Sequence, residues 1–359
     1  MANAKREASS GGGDHDERPE WRIYLGNHVQ RKGVEFPDPP PWRNFEKPQE
    51  SRRGETFRAS DPEIEVVNAA LYLRRPLLVT GKPGSGKSSL AYSVAHELNM
   101  GPVLRWAINS RSTLADGLYT YDAIARLREA NLAQRTYVAV PIGSDTKSRH
   151  PLPDSNLTPV EDDIGKYIRL GPLGTALLER DRPRVLLIDE IDKSDIDLPN
   201  DLLHVFEEGD FEIPELKRIA KQQPKVKVLP FDGKDDNDRV DITGGRIRCK
   251  AFPFVLLTSN SERELPPAFF RRCLRLEIQD ADDKRLREIV SAHLHELEED
   301  HRDLINEMID KFKKGRENGG TMATDQLLNA LFLLARERPP TGKDRDAVEK
   351  ILLTRLNPS

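Results

Sequence analysis

The sequence predicts an α/β fold, a five-stranded parallel sheet between helices with a smaller C-terminal all-helical domain. Three observations predict it. Short runs that are apolar on both faces alternate with helical patterns between residues 61 and 282, which is how strands read in a sheet covered on both sides. A complete G-x-x-x-x-G-K-[ST] motif stands between the first of these runs and a helix. From Asp283 onward the pattern is helical throughout, with stripes such as Leu327, Leu328, Leu331 and Leu334.

Residues 1–20 are polar, with a Ser-Ser-Gly-Gly-Gly run, and read as a disordered tail that is neither signal nor anchor. Residues 21–60 form an N-terminal arm, rich in Pro and charge and expected to be irregular, with Trp21, Tyr24, Phe36, Trp42 and Phe45 as anchors. Asp61-Pro62 opens a helix, Asp61 as cap and Pro62 at the first helical position. The core of residues 61–282 follows. Its strands are read at 77–79, 103–108, 185–188, 254–257 and 274–278, with a helix at 90–98. Two insertions interrupt it, near residues 114–168 and 217–248. Residues 283–359 form the helical lid.

Lys and Arg total 56 against 60 Asp and Glu, so the net charge of -4 gives no global basis for binding nucleic acid or an anionic membrane. The two cysteines, Cys249 and Cys273, make neither a disulfide framework nor a zinc site. That points to a reducing, cytoplasmic setting. No stretch is apolar enough to span a bilayer.

The motif reads Gly81-Lys82-Pro83-Gly84-Ser85-Gly86-Lys87-Ser88, with Ser89 next to it. Its glycines allow a turn whose N–H groups face phosphate oxygens, and the helix that follows adds its positive end. Lys87 is expected on the β- and γ-phosphates of ATP, and the Ser88 hydroxyl on Mg²⁺. The run 185–188 ends in Asp189 and Glu190. Carboxylates at the C-terminal edge of a parallel sheet face the ligand crevice. Asp189 is therefore expected to hold Mg²⁺ through its water shell, and Glu190 to orient or deprotonate the attacking water. A base placed for water favours hydrolysis over transfer to another acceptor. Asn260, at the tip of the fourth strand, would lie beside the γ-phosphate. Asn109, at the tip of the second, reads equally as a turn residue or as a partner that controls Glu190. Arg271 and Arg272 follow a short helix and read equally as a solvated pair or as charge supplied in trans to a transition state.

His293, His295 and His301 have no metal-ligand spacing and read as part of a charged helix. The basic residues from Lys217 to Lys227 carry no interleaved aromatics, so a solvated hairpin is favoured over a nucleic-acid contact.

The segments GKPGSGKS, IRLGPLGTALLERDRPRVLLIDEIDKS, PNDLLHVFEEGDFEIPEL and FVLLTSNSERELPPAFFRRCLRLEI together resemble AAA+ ATPases, most closely the MoxR-like group. The resemblance runs from about residue 61 to 357. It implies a P-loop AAA+ core with a helical lid, and subunit rings, usually hexameric, with ATP between neighbours. It implies Asn260 as sensor 1, with Arg272 or its neighbour Arg271 as the arginine finger. It also implies a β-hairpin before the sensor strand, holding the 217–248 extension. A protein client, or a partner with a von Willebrand A domain, is implied by resemblance alone. Many relatives carry a sensor 2 arginine in the lid. Here residues 321–328 have none, and Asp325 or Gln326 takes that place. The expected function is therefore an ATP-hydrolysing ring that remodels a protein. A nucleotide-gated scaffold with negligible hydrolysis is the alternative, and a nucleic-acid motor a further one.

Overall fold

The computed structural model describes residues 21–44, 49–138, 163–294, 301–317 and 322–354. The tail 1–20, residues 139–162 of the first insertion, Phe45 and His295 lie outside them. The chain divides into two compact units, Glu46–Ala292 and Met1–Phe45 with His293–Ser359.

The larger unit opens with helices α1 (Gln49–Thr56) and α2 (Asp61–Leu73), strand β1 (Leu77–Thr80), helix α3 (Lys87–Glu97) and strand β2 (Leu104–Ala107). The first insertion holds α4 (Leu114–Leu118), β3 (Tyr119–Tyr121), α5 (Ala123–Val138) and β4 (Ile168–Leu170). Then come α6 (Pro172–Ala176), β5 (Val185–Asp189), α7 (Asp197–Glu208), β6 (Asp210–Glu212) and α8 (Pro214–Ile219). The second insertion holds β7 (Lys225–Val228), β8 (Val240–Thr243) and β9 (Arg246–Arg248). The unit closes with β10 (Phe254–Ser259), α9 (Pro267–Arg272), β11 (Leu274–Glu277) and all but the last two residues of α10 (Asp283–Leu294).

Five strands make one parallel sheet in the order β11-β1-β10-β5-β2. Successive residues of a strand face opposite sides; in the central strands β1, β10 and β5 both sides are buried, while the edge strands β2 and β11 bury alternate residues. Leu78, Leu186, Ile188, Val255 and Leu257 join one core, with Leu202 and Val205 of α7 and Leu173 and Leu177 at α6. Leu77, Val79, Val185, Leu187, Phe254 and Leu256 join the other, with Leu90 and Ala91 of α3 and Val67 and Ala70 of α2. These alternate positions explain why the three central strands read as apolar runs.

β10 stands between β1 and β5, so the strand ending in Thr258 and Ser259 separates the phosphate loop from the acidic pair. That order brings three strand tips to one edge. α7 stops at Gly209, whose φ of 65° supplies the left-handed residue that ends a helix. β7 and β8 form an antiparallel hairpin, as expected of the second insertion, and β9 pairs back with β6.

The arm is not irregular throughout. Residues 49–56 form α1, which has no apolar stripe but carries good helix formers. It lies against α3, where a Cβ at Gly54 would meet the Tyr92 carbonyl at 2.7 Å, so only glycine allows this approach.

In the smaller unit, α11 (Arg302–Glu317), α12 (Thr324–Leu334) and α13 (Gly342–Leu352) pack through Met308, Ile309, Phe312, Leu327 and Leu331. The first part of the arm belongs here. Trp42 donates its indole N–H to Asn329 at 3.0 Å and meets Phe332 edge-on, and Trp21 donates to Asp344 at 2.8 Å. Among the described residues no helix is long and apolar enough to cross a membrane.

Candidate nucleotide site

The phosphate loop joins β1 to α3, and three of its residues have positive φ: Gly81 (146°), Gly84 (73°) and Gly86 (90°). At Gly81 a Cβ would also meet the Ile278 carbonyl at 2.8 Å. The loop ends on the first turn of α3, where N–H groups have no acceptor within the helix. Lys87 is buried and donates to the carbonyls of Gly81 at 2.8 Å and Lys82 at 2.9 Å. Burial holds its pKa below the usual value, against the opposing pull of Asp192, Asp189 and Glu190. Ser85 Oγ is buried without a partner. A cradle of N–H groups, a buried ammonium and a spare hydroxyl fits a phosphate chain.

Asp189 is 7% exposed at the end of β5. Its Oδ1 accepts the Ser88 hydroxyl at 2.7 Å and the Thr258 hydroxyl at 2.8 Å. Its Oδ2 accepts Arg105 Nη2 at 2.6 Å and Nε at 3.1 Å. Burial raises the pKa of Asp189, but these hydrogen bonds and the Arg105 charge outweigh it and hold the group below the usual carboxylate value. A serine hydroxyl paired with a carboxylate is an all-oxygen set suited to Mg²⁺.

Glu190, the next residue, has φ 64° and ψ 50°. Left-handed backbone is uncommon for a residue with a side chain and gathers at functional sites. Its N–H donates to Thr258 Oγ1 at 2.8 Å, and its carboxylate accepts Lys193 Nζ at 2.8 Å. Asn260 receives its place from Asp192, whose Oδ2 accepts the Asn260 N–H at 2.9 Å.

The other expected residues are placed differently. Asn109 uses its side-chain oxygen to accept the Arg111 N–H at 2.8 Å, a turn contact, while Glu190 is held by Lys193 instead. Arg271 is exposed, and Arg272 is paired with Glu207 at the end of α7. Arg75 donates to the carbonyls of both arginines and so fixes the end of α9. In the smaller unit, Gln326 Oε1 accepts the Ala323 N–H at 2.9 Å, and its Nε2 donates to the carbonyls of Leu352 and Thr354. That amide is thus committed to capping α12 and tying down the end of α13.

Sequence reading missed Arg105, Thr258, Asp192 and Lys193. Arg105 and Thr258 did carry a signal, a polar residue near the C-terminal end of an apolar strand.

The family model described as AAA domain (dynein-related subfamily) matches residues 76–273, more than half of the chain. The chain belongs to this AAA family. The AAA match covers β1 through α9, hence the phosphate loop, the acidic pair and both arginines. An AAA domain binds nucleotide, so this is a nucleotide-dependent AAA+ protein. The AAA+ family generally hydrolyses ATP, and its members commonly form rings. No curated protein matches the chain. Among solved structures it is similar to C. elegans PCH-2, at 16% identity and a TM-score of 0.40, over 83% of this chain and 68% of that one.

Proposed function

We propose that this AAA+ protein is a Mg-ATP-dependent ATPase of the MoxR-like kind, which hydrolyses ATP at the subunit interfaces of a ring and remodels a protein partner. One observation carries the hydrolytic part. Glu190 follows directly on Asp189, and Asp189 shares its carboxylate with the Ser88 hydroxyl. A metal-binding acid and a base for water therefore stand side by side at one strand tip.

Ser88 and Asp189 would hold Mg²⁺, which when bound offsets negative charge on the terminal phosphates. Lys87 gives up its loop carbonyls for phosphate oxygens. Asn260 orients the water, and Glu190 accepts its proton once Lys193 lets the carboxylate go. Of the two arginines, Arg271 is exposed and Arg272 is engaged by Glu207, which favours Arg271 as the charge given to a neighbour. Both cysteines are free, in keeping with a reducing cytoplasm. A von Willebrand A domain is the partner class that the MoxR-like reading carries.

The test is steady-state phosphate release with Mg-ATP over a range of protein concentrations, with Glu190→Gln as the blank. We expect a specific rate that rises with concentration in the wild type, and a loss of at least ~100-fold in the variant. Wild-type turnover by Glu190→Gln would sink the mechanism. The second reading is a nucleotide-gated scaffold, favoured by the commitment of Gln326 to capping and of Glu190 to Lys193. It predicts nucleotide-dependent assembly with no release above the blank.

A further inference from the structure

Asp192 lies two residues beyond Glu190, in the single 3₁₀ turn Ile191–Lys193, and is 2% exposed. A carboxylate is costly to bury unless its oxygens are hydrogen-bonded. Its Oδ2 accepts two backbone N–H groups, from Asn260 at 2.9 Å and Glu262 at 3.0 Å. Its Oδ1 is buried with no partner. The segment that it grips is not relaxed. Ser261 has φ 61°, and its N–H is held by Ser259 Oγ at 2.9 Å. Two left-handed residues with side chains, Glu190 and Ser261, thus end neighbouring strands. Asp192 is joined to both, through Ile191 to the first and through hydrogen bonds to the turn around the second. Among the described residues the Asn260 side chain has one hydrogen bond, a long 3.4 Å contact with Glu262 Oε1. Its direction is therefore set by its backbone, and its backbone by Asp192.

We infer that Asp192 is the positioning residue that fixes Asn260 relative to Glu190, so that the site distinguishes a nucleotide with a γ-phosphate from one without. This rests on the reading of Asn260 as the γ-phosphate neighbour. A γ-phosphate that pulls on Asn260 pulls on the N–H held by Asp192, and through one turn of chain on Glu190. A nucleoside diphosphate ends short of Asn260 and draws nothing from the link.

The experiment uses the full chain, fluorescent ADP and a fluorescent non-hydrolysable ATP analogue with Mg²⁺, and reads the ratio of the two affinities. Asp192→Ala is expected to lower the preference for the analogue by roughly tenfold, since charge-assisted hydrogen bonds are lost, with ADP affinity held within about twofold. Asp192→Asn keeps an acceptor of the same shape and is expected to retain the wild-type ratio. In an Asn260→Ala background, Asp192→Ala is expected to add nothing. The inference is overturned if Asp192→Ala keeps the wild-type ratio while Asn260→Ala loses it. It is also overturned if Asp192→Ala weakens both nucleotides equally and lowers Tm, the mark of a purely structural role. A wild-type protein that binds neither nucleotide, or an Asn260→Ala variant with an unchanged ratio, would instead bring down the reading of the site beneath it.

Discussion

At the scale of single residues, Asp189 shows how a buried acid is kept charged. Four hydrogen bonds from Ser88, Thr258 and Arg105 satisfy both of its oxygens. Its pKa in the folded protein lies below the ordinary 3.8. Stability from this group is therefore fully present above the unfolded value, and is lost as pH falls through the folded one. Arg105→Ala removes two of the four donors and the nearby charge. We expect Tm near neutrality to fall in that variant and less of it to be lost on acidification, so that the two profiles converge once Asp189 is protonated. Differential scanning fluorimetry from pH 3 to 7 reads this directly, and an unchanged acid limb would count against the role given to Arg105. That the loop of Lys87 and Ser88 and the acid pair Asp189 and Glu190 stand at strand ends was legible in the sequence, because each lies inside one motif. The contacts of Arg105 and Thr258 with Asp189 were not, because they depend on the lateral order of the strands.

At the scale of elements, the start of α2 carries more than its own cap. Glu63 accepts the Ser60 N–H at 2.9 Å, which closes the capping box. Its two oxygens also accept Arg285 of α10 at 2.7 and 2.8 Å, with Glu63 2% exposed. Arg285 in turn lies over the Phe57 ring, 5.8 Å from its centroid, and a Cβ at Gly86 would come within 3.3 Å of that ring. Glu63→Ala leaves a largely but not fully buried guanidinium unpaired, its side chain 16% exposed, so the loss should approach the lower end of the ~3–5 kcal/mol seen for fully buried pairs. We expect urea unfolding of the larger unit to show a loss of that size, and a loss under about 1 kcal/mol would mean that solvent reaches Arg285 freely. The central strands β1, β5 and β10 could be read in advance because burial on both faces makes them apolar, and the edge strands β2 and β11 because apolar residues alternate in them with polar or exposed ones. α1 could not, since QESRRGET has no apolar stripe. The three-residue strands β3, β4, β6 and β9 also escaped, being too short to show a period.

At the scale of the whole molecule, the arginines and the acidic pair give a test of assembly. If Arg271 serves the neighbour's nucleotide, Arg271→Ala and Glu190→Gln subunits are each inactive alone but complement one another. The Arg271→Ala subunit keeps its own Glu190, and the Glu190→Gln subunit lends the arginine. We expect phosphate release to reappear on mixing, up to about a quarter of the wild-type rate if subunits mix at random, through the transition-state charge that an arginine supplies. Mixed samples as silent as their parents would place the arginine's action within its own chain, or outside catalysis.

The lateral order of the sheet also bears on how the chain comes off the ribosome. Leu77, at the head of the phosphate-loop strand, pairs with Leu256 on one side and Leu274 on the other. Synthesis delivers that strand early and both of its neighbours late. Until then only β2 and β5, of these five, can pair with each other. The nascent protein must therefore carry Leu77, Leu78 and Val79 without either strand partner until Phe254–Ser259 has been made, an exposure that favours shielding by chaperones over early sheet formation. A stalled or truncated product ending before residue 254 would contain every residue of the phosphate loop and still lack both strands that flank it.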